Sequence, residues 1–470
     1  MIVDLASRVG NWHLIIKRAV LLYIGYRCIK ALLGKRTQAP GPIMLPWIGY
    51  IPCLGPSALR EVAKLHKTYG DVVRITLMGR PIVFLNTYEA ICEAAITNKR
   101  KIGRHTPTIN DWLAKGRGIS NYDTPRAMEL RQALLRYLYN NGPVNTLLDG
   151  NRENGSLSQA IQSQIDALVD ELNKTAGEPV SVTPIMRRAV WRIMWEIVFG
   201  HKCDMESADI DYMFHRISGN NMENTVLSCG QLMDKHLLSV AQLIPVIRRM
   251  FRVQRLAKRY TQVCDVLNDA VKRVSEESVG SSSLIDRLKR DTRLSIETGE
   301  LERLAFELMA AGTETSSTTL TWACVYMSEH PELFVQEDID RHLKNIHRLA
   351  SVVPLGLPYI TKEPVTISGY HVPKGTILLF NLLAVHQEQS HILDDPPNPI
   401  PFSVGARSCP GGRLAGALLK HIVSTINAKF LITEEGDRAI GENECPRYDT
   451  GGLTRGPSEG LFVFHPRRTM

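Results

Sequence analysis

From about residue 57 onward, apolar positions recur at spacings of three and four, the period of helices that bury one face. Leu414, Leu418, Leu419, Ile422 and Ile426 predict one such helix, beginning near Pro410 because proline suits a first helical position. A second run, Ala305 to Trp322, opens as a strong helix and then sets Gly312 and a string of hydroxyl residues in its middle. Glycine costs roughly 1 kcal/mol there and Ser/Thr side chains compete for backbone carbonyls, so a local opening of this helix is expected. Alternation of period two is confined to short runs, DVVRITL and PIVFLNT, which predict a hairpin turning around Met78 to Pro81. No Gly/Ser/Pro linker divides the body, so one large, helix-rich domain with a small sheet is expected from these 470 residues.

The net charge of +8 raises the question of nucleic acid. The basic clusters, such as Lys99 to Lys101 and Arg248 to Arg259, are short and interleaved with apolar residues rather than aromatic platforms, which argues against it. They read as solvated helix faces, or as a docking face for an acidic electron donor or anionic lipid headgroups. The nine cysteines contain no C-x-x-C pair, which argues against structural zinc and c-type heme attachment. Leu14 to Leu33 is apolar but interrupted by Lys17, Arg18, Arg27 and Lys30. It fits a spanning helix with snorkelling basic residues or an amphipathic helix lying in the interface. The basic first 36 residues, with Asp4 their only acid, also fit a mitochondrial transit peptide.

One cysteine stands apart. In FSVGARSCPGGRLA, Phe402 to Ala415, Cys409 ends a glycine-punctuated turn directly before the predicted helix. The exposed N–H groups and positive dipole end of that helix favour an anion, so a depressed thiol pKa and a metal-ligating sulfur are expected. Gly405 and Gly411 allow the backbone to turn and approach a flat cofactor.

The spacing F-x-x-G-x-R-x-C-x-G resembles the heme-ligand loop of the cytochrome P450 family, matched at Phe402, Gly405, Arg407, Cys409 and Gly411. The resemblance implies heme b with Cys409 as the axial iron ligand, Arg407 on a propionate and Phe402 beside the sulfur. Ala311-Gly312-Thr313-Glu314-Thr315-Ser316 resembles the signature of that family's distal helix. This implies that Thr315 hydrogen-bonds the oxygen being activated while Glu314 helps to relay protons. Pro125 to Arg131 resembles the helix carrying W-x-x-x-R, which implies Arg131 on a propionate, with Ala127 in place of the tryptophan. Ala39 to Gly49 resembles the proline-rich hinge after a microsomal anchor, and Gly369 to Thr376 a further family strand and turn. The fold implied is mainly α with a small β-sheet, heme lying between a long distal helix and the proximal cysteine loop. The implied domains are an anchor and basic linker at 1–38 and a catalytic domain at 39–470.

The chain departs from the pattern in the scaffold. Leu349 to Pro358 matches the segment bordering the heme and Arg348 the arginine of E-x-x-R, but Asn345 stands where the glutamate should be. The stretch from His330 to Arg348 is contracted. So is the stretch between Thr376 and Phe402, where HILDDPPNP, His391 to Pro399, stands near the place of the second scaffold arginine. An uncompensated buried charge costs about 3–5 kcal/mol, so Arg348 is expected to find other acceptors, Asp394 or Asp395, or to weaken the scaffold.

The resemblance implies a monooxygenase that inserts one oxygen atom from dioxygen into a small apolar substrate, lipid-like or xenobiotic. Electrons come from NADPH through a flavoprotein reductase. The pocket is expected along the loop from His105 to Gly118, at Phe306, Ala310 and Ala311 of the distal helix, and from Val352 and Val353 to Leu355, mostly apolar or small residues. GGRLAG after Cys409 lacks the basic and acidic residues of mitochondrial members, which implies the endoplasmic reticulum membrane with a cytosolic catalytic domain; a mitochondrial location is the alternative. Two other functions stay open. One is a hydroperoxide isomerase or dehydratase needing no reductase, against which Glu314 and Thr315 argue. The other is a shortened heme-binding protein with little turnover, which Asn345 and the contractions favour.

Overall fold

A computed structural model describes residues 37–44, 49–50, 53, 58–77, 79–106, 114–139, 156–218, 253–277, 283–331, 338–388, 399–435, 448–449, 453–458 and 460–467, with Arg18, Leu22 and Gly25. The expected anchor therefore lies almost wholly outside the described residues, as do Asp394 and Asp395. No helix among those described is long and apolar enough to cross a membrane.

The chain first builds a sheet edge. Helix α1 (Ala58–Tyr69) turns Leu59, Val62 and Leu65 inward, one face at helical spacing. Strands β1 (Val72–Leu77) and β2 (Arg80–Leu85) then pair antiparallel, with Leu77 opposite Arg80. The expected hairpin is thus present, and Gly79, just before β2, takes φ +79°. Helix α2 (Tyr88–Cys92) runs into a π-helical turn (Glu93–Thr97) and strand β3 (Ile102–Arg104). After the helical body come β5 (Tyr359–Thr361), β6 (Val365–Ile367), β7 (Tyr370–Val372) and β8 (Ile377–Phe380), while β4 (Val180–Ser181) precedes them within that body. The main sheet has the order β1-β2-β8-β5-β3, with β2 and β8 parallel and the other pairs antiparallel.

The body is helical: α3 (Pro125–Tyr139), α4 (Ser156–Asn173), α5 (Val182–Phe199), α6 (Ser207–Ser218), α7 (Val253–Glu277), α8 (Leu284–Arg290), α9 (Thr298–Glu329) and α10 (Ile339–Ala350). Helix α11 (Leu382–Glu388) and helix α12 (Gly412–Lys429) follow the sheet. Strand β9 (Phe430–Glu434) leads to β10 (Tyr448–Asp449), β11 (Gly456–Pro457) and β12 (Leu461–Pro466). The minor sheets are β4-β12-β9 and the pairs β6-β7 and β10-β11, so the fold is mainly α with small sheets, as expected.

Helix α5 buries most of its residues in the main core, with the Trp195 ring centre 4.6 Å from that of Phe199 one turn on and the two rings tilted by 52°. It packs along α9, the 32-residue helix that crosses the molecule. A reciprocal cap, Glu297 with Glu300, starts α9. The expected local opening is absent: α9 is continuous from Thr298 to Glu329. Its hydroxyls bond back within the helix, Thr315 to the Ala311 carbonyl and Thr319 to the Thr315 carbonyl at 2.8 Å each, so they do not break it. Gly312 serves packing instead, since a Cβ there would lie 2.6 Å from Met194 Cε of α5.

Candidate active site

Helix α12 starts at Gly412, two residues later than the proline suggested, with Gly411 as its cap residue. The preceding loop is closed by the Cys409 N–H, which donates to the Phe402 carbonyl at 2.8 Å, and by Ser408 N–H to the Gly405 carbonyl at 3.1 Å. Gly405 holds φ +82°, and a Cβ there would lie 2.5 Å from the Ala95 carbonyl oxygen, so only glycine fits. The Phe402 ring meets the edge of His347 at 5.5 Å. Tyr139 donates to the Pro410 carbonyl at 2.8 Å and ties the loop to α3.

Cys409 is exposed, but into a cavity of about 920 Å³ rather than to bulk water. The expected depressed thiol pKa is not found. Burial pushes the thiol up, and the Gly411 N–H, Arg131 and Arg104 offset only part of that. The surrounding protein outweighs the helix terminus, so a cation must supply the rest of the stabilisation of a thiolate.

Of the five arginines that line this cavity, Arg187 and Arg303 face carboxylates, Glu314 and Glu307, and the other three are Arg104, Arg131 and Arg407. Arg131 donates to the Ser408 carbonyl. Arg407 donates to the carbonyls of Ile119 at 3.0 Å and Tyr122 at 2.7 Å, and to Met128 Sδ. Arg104 donates to the carbonyls of Leu357 at 3.0 Å and Arg407 at 2.9 Å and lies 4.2 Å from the centre of the Tyr359 ring. Its Nε is buried without a partner. None of the three pairs with a carboxylate among the described residues. Burial pushes all three guanidinium groups down, Arg104 to about 10, with Arg407 and Arg131 adding to its shift. Three cations with no carboxylate in direct contact, Asp123 and Glu307 acting on Arg104 and Arg407 only from a distance, stand beside a sulfur open to the same space and fit a planar cofactor with carboxylate tails and a metal centre. Among the described residues no three His, Cys, Asp or Glu side chains converge as a chelating set, so the remaining ligands of a metal on Cys409 would come from that cofactor.

Arg104 escaped sequence reasoning. Its only signal was a basic residue at the end of a short strand just before the expected pocket loop. Ala127, in the tryptophan position, is buried against Ala114 and Tyr122, so the space is closed by other packing.

The opposite wall is α9, where Phe306, Ala310, Ala311, Glu314 and Thr315 reach the cavity, joined by Val352 and Val353. Glu314 accepts a hydrogen bond from Thr454 at 3.3 Å and faces Arg187 at 3.9 Å. Two expectations need correction. Leu355 packs into the sheet core, and Ile119, Ser120 and Asn121 line the cavity rather than the described part of His105 to Gly118; positions 107–113 lie outside the described residues. The lining is also less apolar than expected. Arg303 and Glu307 pair at 3.1 Å on the cavity wall, and Glu307 also accepts from the Ile119 N–H at 2.8 Å.

Below the cavity, Asn345 bridges Tyr326 OH at 3.1 Å and Arg348 Nη1 at 3.2 Å, so Arg348 meets a neutral amide. His386 Nδ1 contacts Ser351 Oγ at 2.8 Å, and its Nε2 accepts from the Ile400 N–H at 3.0 Å, which places the proton on Nδ1. Burial holds His386 down to about 3 and His347 to about 4.

A family model described as Cytochrome P450 matches residues 39–347 and 339–446. Similar proteins include cytochrome P450 2C7 of Rattus norvegicus, 26% identical over 84% of this chain and 88% of the relative. Cytochrome P450 2C8 of Homo sapiens is 26% identical over 86% and 89%. Cytochrome P450 2L1 of Panulirus argus is 24% identical over 92% and 94%.

Proposed function

The chain belongs to the cytochrome P450 family, and from that premise we propose how its own residues serve a heme-thiolate monooxygenase reaction. The cofactor of that reaction is heme b on a cysteine thiolate. When bound, the heme supplies the oxygen-activating chemistry. Cys409 would hold its iron, being the one cysteine among the described residues that lines the cavity, just before a helix start. Arg104, Arg131 and Arg407 would hold its carboxylate tails, each bringing a guanidinium with no carboxylate in direct contact. Gly405 keeps the loop tight against the Ala95 carbonyl, and Phe402 backs the sulfur.

On the other face, Thr315 offers its hydroxyl oxygen to the reacting region while its proton is held by the Ala311 carbonyl. Glu314 brings a carboxylate to the same edge, steadied by Thr454, and can hold and pass a proton. Phe306, Ala310, Ala311, Val352 and Val353 present apolar surface to a lipid-like or xenobiotic substrate. The Arg303–Glu307 pair gives that surface a polar edge, which suits a substrate carrying at least one polar group. Residues 1–38 anchor the domain 39–470 to the endoplasmic reticulum membrane, and an NADPH-dependent flavoprotein reductase delivers electrons.

The observation that carries this reading is the convergence on one cavity of Cys409 and three arginines with no carboxylate in direct contact. The test is the spectrum of the reduced carbon monoxide complex. The wild-type chain gives the thiolate signature, and Cys409→Ala loses it while some heme remains. A surviving signature in the variant would overturn the assignment.

A further inference from the structure

We propose that Arg455 is a positioning residue for the heme-binding face: it clamps the end of α10 and thereby holds the cavity wall that carries Val352 and Val353. The proposal rests on the reading of the cavity as the heme site.

Arg455 is 3% exposed and stands directly before β11, more than a hundred residues from the elements it grips. Its Nη1 donates to the carbonyls of Leu349 and Ala350 at 2.6 Å each. These belong to the last turn of α10, whose final carbonyls lack partners within the helix and carry the negative end of its dipole. A buried cation is therefore well matched to them. The guanidinium also lies 5.1 Å from the centre of the Trp322 ring of α9, and the Arg455 carbonyl accepts from Trp322 Nε1 at 3.0 Å. Its N–H donates to the Val352 carbonyl at 2.7 Å. One residue thus joins α9, the end of α10 and the segment that carries Val352 and Val353 to the cavity.

That junction needs a clamp. Ser351, the residue after α10, adopts φ +37° and ψ +52°, a left-handed conformation that costs a serine energy and persists only where neighbours fix it. The neighbours are His386 at Ser351 Oγ and Arg455 at the two preceding carbonyls. Thr454, adjacent in the chain, carries the same turn to Glu314 on the cavity's opposite wall. Displacing Arg455 would therefore loosen both faces of the site, although Arg455 itself does not line the cavity.

The test compares holoprotein carrying Arg455→Met, Arg455→Lys, Arg455→Gln and the pair Asn345→Glu/Arg455→Met. The readout is the ratio of thiolate-ligated to ligand-displaced heme in the reduced carbon monoxide spectrum, with total heme measured separately. Arg455→Met is expected to lower the ratio roughly ten-fold, or about 1.4 kcal/mol, because two buried carbonyls lose their donor. Arg455→Lys should keep most of the ratio, since an ammonium can serve both carbonyls. Arg455→Gln, which keeps a donor without charge, should fall between and covers the case in which the methionine variant does not fold. Asn345→Glu should recover part of the loss in the methionine background by putting a carboxylate where Arg348 now meets an amide oxygen. A wild-type ratio in Arg455→Met or Arg455→Gln would overturn the inference. A loss that neither the lysine nor the added glutamate reduces would also overturn it and mark Arg455 as packing alone. A wild-type chain with no thiolate signature would overturn the heme reading itself and this inference with it.

Discussion

Asn345 Oδ1 accepts a hydrogen bond from Arg348 Nη1 at 3.2 Å, so this contact of the arginine is to a neutral amide rather than to a carboxylate. Asn345→Leu removes that acceptor and the link to Tyr326 together, and is expected to cost about 1–3 kcal/mol. Asn345→Glu in the wild-type background should add no more than about 1 kcal/mol, because a stronger bond to Arg348 is offset by burying a second charge. Thermal unfolding of both variants measures this. A large gain from the glutamate would mean that the scaffold lacks the second clamp assigned to Arg455.

Arg104 should matter to the loaded protein far more than to the heme-free one. Arg104→Gln keeps a donor for the Leu357 and Arg407 carbonyls but removes one of three neighbouring cations. Heme affinity is expected to fall roughly ten-fold, within the range for losing a charge-assisted contact. The melting temperature of heme-free protein should hardly move, since relief of repulsion from Arg131 and Arg407 offsets the lost bonding. Heme titration and parallel melts separate the two effects.

Thr315→Ala is expected to leave heme content unchanged and to uncouple turnover. With the hydroxyl gone, product formed per NADPH should fall roughly ten-fold or more while peroxide rises, the pattern of a lost proton-handling group. Equal coupling in variant and wild type would remove Thr315 from the reaction.

The pH dependence of stability should carry the mark of His386. Its folded pKa, near 3, lies below the ordinary histidine value of 6.5, so the folded chain keeps it neutral while the unfolded chain takes up a proton first. Its contribution is complete above about pH 6.5 and is lost as pH falls toward 3, by up to about 1.4 kcal/mol per pH unit. His347, held near 4, acts in the same sense. His386→Gln should flatten the fall in unfolding midpoint between pH 7.5 and 5.5 by about one proton's worth. An unchanged slope would show that His386 titrates freely in the folded protein.

Much of the site was legible because it is local. The Cys409 loop, its glycines and Arg407 lie within ten residues, Phe402 to Gly411, so their resemblance to the family's heme-ligand loop can be seen in one short stretch. The long helix was legible from its period, but Gly312 was misread as an opening because its reason, Met194, lies on another helix. Arg104 reaches its partner Arg407 across 303 positions, and Arg455 reaches Leu349 across 106, distances at which no spacing rule operates. The thiol's raised pKa was missed for a related cause: helix position can be read locally, whereas the amount of protein enclosing a sulfur cannot.

The unbroken course of α9 also limits how its gene can vary. Thr315 and Trp322 stand seven residues apart, so they share a face to within about 20°. Inserting or deleting a single residue between them would turn one against the other by about 100°. Either the hydroxyl would leave the cavity or the indole would leave the Arg455 carbonyl. This stretch can therefore drift by substitution but not by length, and its residues descend as a block whose phase is fixed.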